Sequence, residues 1–170
     1  MKVAAPRSLR RTSCARSGAD PLVAKVFVLD ASVLISALSP QERDQADSKR
    51  FLETLQSPDY LVVMPTLVRA EVASGIARLT GNEQAALTAS RLGFVPAPIV
   101  LVNVDESLIG EAAEIAATCR LGGADSVYVA VARRFEGLLV TLDGEQRERS
   151  PKPVVALRPG DLLQDSTSRP

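Results

Sequence analysis

The chain reads as an α/β protein built on a parallel sheet of about five strands, covered on both faces by helices. Three observations predict this. Short apolar runs rich in β-branched residues recur at 26–29, 60–64, 99–102, 138–142 and 154–157. The runs are continuous, as strands buried on both faces are, and do not alternate with polar residues. Segments that mostly have helical spacing separate them, which is the pattern of repeated strand-helix-strand units. At 170 residues the chain has the size of one ordinary domain with a substantial core.

Taken in order, the first strand ends on Asp30, and Ser32 stands as N-cap of a short helix over 33–38. Residues 41–56 carry Ala46, Phe51, Leu52 and Leu55 among many charges, predicting a surface helix or a short loop followed by one. After the second strand, Leu67, Val68, Val72, Ile76 and Leu79 fall at helical spacing within 66–79, with Glu71 inside that segment. Asn82 caps a further helix through Leu92, and Pro96 and Pro98 break the pattern before the third strand. Asp105 and Glu106 then open a helix with a Leu108, Ala112, Ile115 and Cys119 stripe, closed by Arg120 and Gly122. The next segment is ambiguous, because Val127, Val129 and Val131 alternate like a strand. Ala130, Ala132, the closing Arg133-Arg134 and Gly137 favour a buried helix, which also preserves the strand-helix alternation.

Composition limits the function. The net charge of zero hides an asymmetry: six of the 20 bases and one of the 20 acids fall within residues 1–25, leaving 14 bases and 19 acids beyond them. A polyanion is not drawn to such a body by bulk charge, so a nucleic-acid substrate requires metal ions and a local basic rim. The two cysteines, Cys14 and Cys119, make no disulfide framework and suit a reducing, cytoplasmic compartment. No apolar run approaches the roughly eighteen residues of a membrane span. The Arg/Ser-rich stretch over 1–24 overlaps transit-peptide composition. Its low hydrophobicity predicts instead a disordered basic leader, or a start site placed too early. The organisation expected is therefore a leader over 1–24, a domain over 25–163 and a frayed Ser/Thr/Pro-rich tail over 164–170.

Four acids carry the chemistry. Asp30 and Asp143 follow apolar strands, where open α/β sheets collect ligands, while Asp125 opens a helix and Glu71 lies about a turn into another. If they converge, they form a pocket that needs a divalent cation. Each also has an ordinary reading: Asp125 as a helix cap, Asp143-Gly144 as a turn, Glu71 as a solvated edge position. Asp30, at the end of an apolar strand, is the hardest to explain that way. No histidine and no GxxxxGK[ST] loop offers a competing chemistry.

The segments VFVLDASVLISAL, VMPTLVRAEVASGIARL, CRLGGADSVYVAVARR and GLLVTLDGEQRER, in that order and spacing, resemble the four acidic motifs of the PIN domain. The resemblance runs from about Val26 to Leu163 and is strongest to VapC-type toxin ribonucleases of toxin-antitoxin pairs. It implies a PIN-like three-layer sandwich and a metal site formed by Asp30, Glu71, Asp125 and Asp143. Ser32 matches the family's hydroxyl near the first acid, and Thr141 a polar position before the last. The activity implied is endonucleolytic cleavage of single-stranded or looped RNA with Mg²⁺ or Mn²⁺, leaving a 5′-phosphate. The resemblance further implies a homodimer and a small antitoxin covering the acidic groove. Gly122-Gly123 departs from the Arg-Gly found in many relatives.

Arg69 and Arg147 are candidates for the basic rim that contacts RNA, and Glu145 for support of the metal site, with solvent exposure or pairing to Glu145 and Glu148 as the ordinary alternatives for the arginines. Phe51 and Leu52, in the weakly amphipathic 41–55 segment, are candidates for antitoxin docking. Two other functions compete: a PIN-fold RNA-binding module without catalysis, and a phospho-acceptor receiver domain using Asp30, Thr141 and Lys152-Pro153. The receiver lacks its acidic pair here, because Lys25 precedes a purely apolar strand. A haloacid-type phosphatase is disfavoured because Ser32 stands where its second Asp belongs.

Overall fold

A computed structural model describes residues 25–167, with side chains through Gln164. The leader over 1–24, with Cys14, and the last three residues lie outside the described residues. The strands are β1 (Lys25–Leu29), β2 (Tyr60–Pro65), β3 (Ile99–Val102), β4 (Leu138–Val140) and β5 (Ala156–Leu157). All pair in parallel, in the order β3-β2-β1-β4-β5. The helices are α1 (Ala31–Leu38), α2 (Gln45–Thr54), α3 (Val68–Thr80), α4 (Glu83–Ala89), α5 (Glu106–Cys119), α6 (Gly123–Arg134), α7 (Gly144–Arg149) and α8 (Pro159–Thr167). This is the predicted α/β architecture, a five-stranded parallel sheet flanked by helices.

Strand order decides between the fold alternatives. Receiver domains follow the order 2-1-3-4-5, whereas here β1 is central, β2 and β3 step away on one side, and β4 and β5 on the other. The receiver reading is therefore excluded. The same order puts the topological switch point between β1 and β4, the two strands that end at Asp30 and just before Asp143. The chain steps from β1 through β2 to β3 by way of α1 to α4 and returns to β4 by way of α5 and α6; crossovers of the usual right hand put these two sets of helices on opposite faces.

The core explains the ambiguous segment. Residues 126–132 are all buried, with α6 packed on β1, β2, β4 and α5, so its apolar surface runs all round the helix and mimics strand alternation. The α2 segment is also settled, because Phe51 and Leu52 are buried and Phe51 meets the Phe27 ring edge-on at 5.5 Å. Its apolar stripe is consumed by the core, so Phe51 and Leu52 present no docking surface.

Two local expectations are corrected. Asp30, not Ser32, is the N-cap of α1, because the chain turns immediately at the strand end. The helix capped by Asn82 stops at Ala89, since Leu92 is buried in a left-handed conformation (φ 61°) that ends the helix. The last element, α8, runs to Thr167; it packs on α2, sets Leu162 against the core and has Asp161 accepting from the Arg158 N–H at 3.1 Å.

Candidate active site

The acids meet because each is anchored by the backbone that presents it. The Asp30 N–H donates to the Val140 carbonyl at 3.0 Å, pinning the end of β1 to β4. Its Oδ2 accepts from the Ser32 N–H at 3.0 Å, and the Ser32 hydroxyl accepts from the Leu142 N–H at 3.1 Å. The fully buried Thr141 hydroxyl accepts from the Asp143 N–H at 3.0 Å, which turns the chain into α7. Asp143 caps that helix through its Oδ1, 2.7 Å from the Gln146 N–H.

From the other side, α6 brings Asp125 in its first turn and α3 brings Glu71. Tyr128, three residues after Asp125 and fully buried, donates its hydroxyl to Glu71 Oε2, so the two helices share one wall of the site. Two glycines lie close to these elements. A Cβ at Gly75 would lie 2.4 Å from Ile35 Cδ1, so a larger residue there would oblige the Ile35 side chain to move. A Cβ at Gly122 would lie 2.6 Å from Asp125 Oδ2, so a side chain there would oblige that carboxylate to turn.

Asp30, Ser32, Glu71, Asp125 and Asp143 together line a depression of about 490 Å³, rimmed further out by Ser74 and Arg78. Burial raises the carboxyl of Asp30 above the ordinary range, against the hydrogen bonds from Ser32 and Gln146, with Asp143 adding repulsion. Glu71 is raised by burial, despite the Tyr128 hydroxyl, and by the charges of Asp30 and Asp125. Asp125 is raised by burial and by Asp30 and Asp143. Negative charge here lacks an internal counterion: among the described residues, the ion pairs join Glu111 to Arg133 and Arg134, and Glu145 to Arg149.

This donor set fits a hard divalent cation, which takes carboxylate oxygens and relieves their repulsion. Among the described residues no three His, Cys, Asp or Glu side chains form a ready-made cage. Mg²⁺ does not need one, since it keeps several waters and uses one or two carboxylates.

The remaining candidates fall outside the depression. Arg69 donates from Nε to the Ser90 carbonyl at 3.1 Å, and Glu145 is exposed and paired with Arg149 at 3.0 Å. Arg147 lies over the start of α7 with its Nε buried and unpartnered. Sequence reasoning missed Arg78, Tyr128 and Gln146. Two signals were available: Tyr128 shares a helix face with Asp125 at a spacing of three, and Asp143-x-x-Gln146 has capping-box spacing.

The PIN domain family model matches residues 27–150. Solved structures with a similar fold include VapC20 of Mycobacterium tuberculosis, a sarcin-ricin loop cleaving toxin. It is 21% identical with a TM-score of 0.59, over 71% of this chain and 92% of that one. PAE2754 of Pyrobaculum aerophilum is 20% identical with a TM-score of 0.61, over 87% and 99%. VapBC2 of Rickettsia felis, bound to a DNA fragment from its promoter, is 13% identical with a TM-score of 0.60, over 78% and 98%. No curated protein matches. These identities speak for the fold, while the family match covers most of the chain and every acid-bearing segment, and on that ground the chain belongs to the PIN domain family.

Proposed function

We propose that the chain is a metal-dependent endoribonuclease, the toxin of a toxin-antitoxin pair, acting through Asp30, Glu71, Asp125 and Asp143. The observation that carries this reading is the convergence of four carboxylates without an internal counterion at the switch point of the sheet. Bound Mg²⁺ or Mn²⁺ would supply the Lewis acidity and charge neutralisation that phosphodiester hydrolysis requires. The chain's own part is to hold the acids in place. Ser32 and Gln146 orient Asp30, Tyr128 orients Glu71, and Thr141 starts the helix that carries Asp143. Arg78, exposed on the rim and held by the Ser74 hydroxyl, replaces Arg69 as the base nearest an incoming phosphate.

A small antitoxin with a basic residue fits the acidic depression. The apolar groove of about 740 Å³ between α3 and α4, containing Ile76, Ala85 and Phe94, gives it a surface that α2 does not. A homodimer and a cytoplasmic location belong to the same proposal. Among the described residues no helix is long and apolar enough to cross a membrane.

The test is cleavage of a structured-RNA panel with Mg²⁺ or Mn²⁺, with EDTA, and by a folded Asp30→Asn variant. Cutting is expected to require metal and to fall below about a hundredth of wild type in the variant. Cutting that survives both EDTA and the substitution overturns the proposal. Mn²⁺ binding without cutting on any RNA favours the non-catalytic binding module.

A further inference from the structure

We infer that Gln146 is a positioning residue that sets the separation of Asp30 and Asp125 for the cation, an inference that rests on the metal-dependent reading above. Its side chain is fully buried, and its Nε2 donates to Asp125 Oδ1 at 3.0 Å and, more weakly, to Asp30 Oδ1 at 3.4 Å. One amide group thus spans carboxylates from two elements, the end of β1 and the first turn of α6. The capping role of this residue does not explain the contact, because capping uses only the Gln146 backbone N–H. The reciprocal half of a capping box is also closed to it, since the Asp143 N–H is taken by Thr141.

The orientation of the amide is not free. Gln146 Oε1 is buried with no partner among the described residues, an arrangement that is ordinarily unfavourable. A flip would turn that oxygen toward both carboxylates, so the acids hold the NH₂ inward. The backbone is fixed as well, because the Gln146 carbonyl accepts from the Ser150 N–H at 3.1 Å and hydroxyl at 2.6 Å. Neutrality matters most. An arginine or lysine here would tie the acids together and also neutralise them, removing the demand for a cation, whereas an amide supplies the tie and leaves the charge uncompensated.

The experiment measures Mn²⁺ binding by calorimetry for wild type, Gln146→Met and Gln146→Asn, with thermal melts in EDTA to establish folding. Methionine preserves length and burial without a donor, and asparagine keeps the amide but falls short of the acids. Each folded variant is expected to bind Mn²⁺ about 10–100-fold more weakly, as loss of a group that orients metal ligands does. RNA cleavage should then recover toward the wild-type maximal rate at saturating metal. Wild-type Mn²⁺ affinity in either folded variant overturns the inference while leaving the nuclease reading intact. A wild-type protein that binds no Mn²⁺ removes both.

Discussion

Glu111 and Asp30 are both acids in contact with α6 or its side chains, and their surroundings are opposite. Glu111, on α5, receives Arg134 at 2.8 Å and Arg133 at 3.3 Å, and the guanidinium hydrogen bonds hold its carboxyl below the ordinary range. Asp30 has acids around it and no ion pair among the described residues, and burial pushes its carboxyl up. The chain therefore has bases available to neutralise a carboxylate and does so where the acid joins two helices. At the strand ends it supplies only neutral donors: an N–H, a phenol and an amide. That contrast separates an acid paired within the protein from acids whose charge the protein itself leaves uncompensated.

The largest effect should come from removing charge at the site. The folded state holds Asp30, Glu71 and Asp125 above ordinary carboxylate values, so it binds more protons than the unfolded state between about pH 4 and their raised values. Metal-free stability should thus fall as pH rises through that window. Melts in EDTA are expected to give a higher Tm near pH 5 than near pH 7.5. Mn²⁺ should stabilise more at the higher pH. Asp30→Asn, which retains an acceptor for the Ser32 N–H, should gain roughly 1 kcal/mol near neutrality while cleavage is lost. A metal-free variant less stable than wild type at that pH would break the contrast.

A smaller effect is expected at Tyr128. Tyr128→Phe removes the donor to Glu71 and leaves the packed ring, so cleavage should drop about 10-fold while stability moves by no more than about 1–2 kcal/mol. Turnover and metal titration would check this, and unchanged values for both would show that Glu71 needs no orientation. The smallest effect belongs to Glu111→Ala. It breaks a partly exposed ion-pair cluster, and the change in unfolding free energy should stay within about 1 kcal/mol, with cleavage unaltered.

Sequence reasoning reached the elements and the acids for a physical reason: both are written locally. Continuous apolar runs mark strands buried on two faces, and a charge directly after such a run, as at Asp30, is hard to explain otherwise. Strand order is not local, and neither are the bonds from Ser32 to Leu142 or from Tyr128 to Glu71, which join residues far apart in the chain. Gln146 and Tyr128 were overlooked because, within the chain's periodicity, one is an ordinary capping residue and the other an ordinary core residue. Phe51 and Leu52 were misread for a related reason. A short apolar stripe among charges looks alike whether it faces a partner or the protein's own Phe27.

The central place of β1 has a consequence for the timing of synthesis. Its first partner, β2, follows soon in the chain, but its second, β4, begins at Leu138, and the Ser32 hydroxyl waits for an N–H 110 residues further on. A chain still emerging from the ribosome has Asp30 and Glu71 long before Asp143 exists. Until nearly the whole domain has been made, one edge of β1 is unpaired and the acidic cluster is incomplete. On the function proposed above, such a site stays inert while its own message is being read.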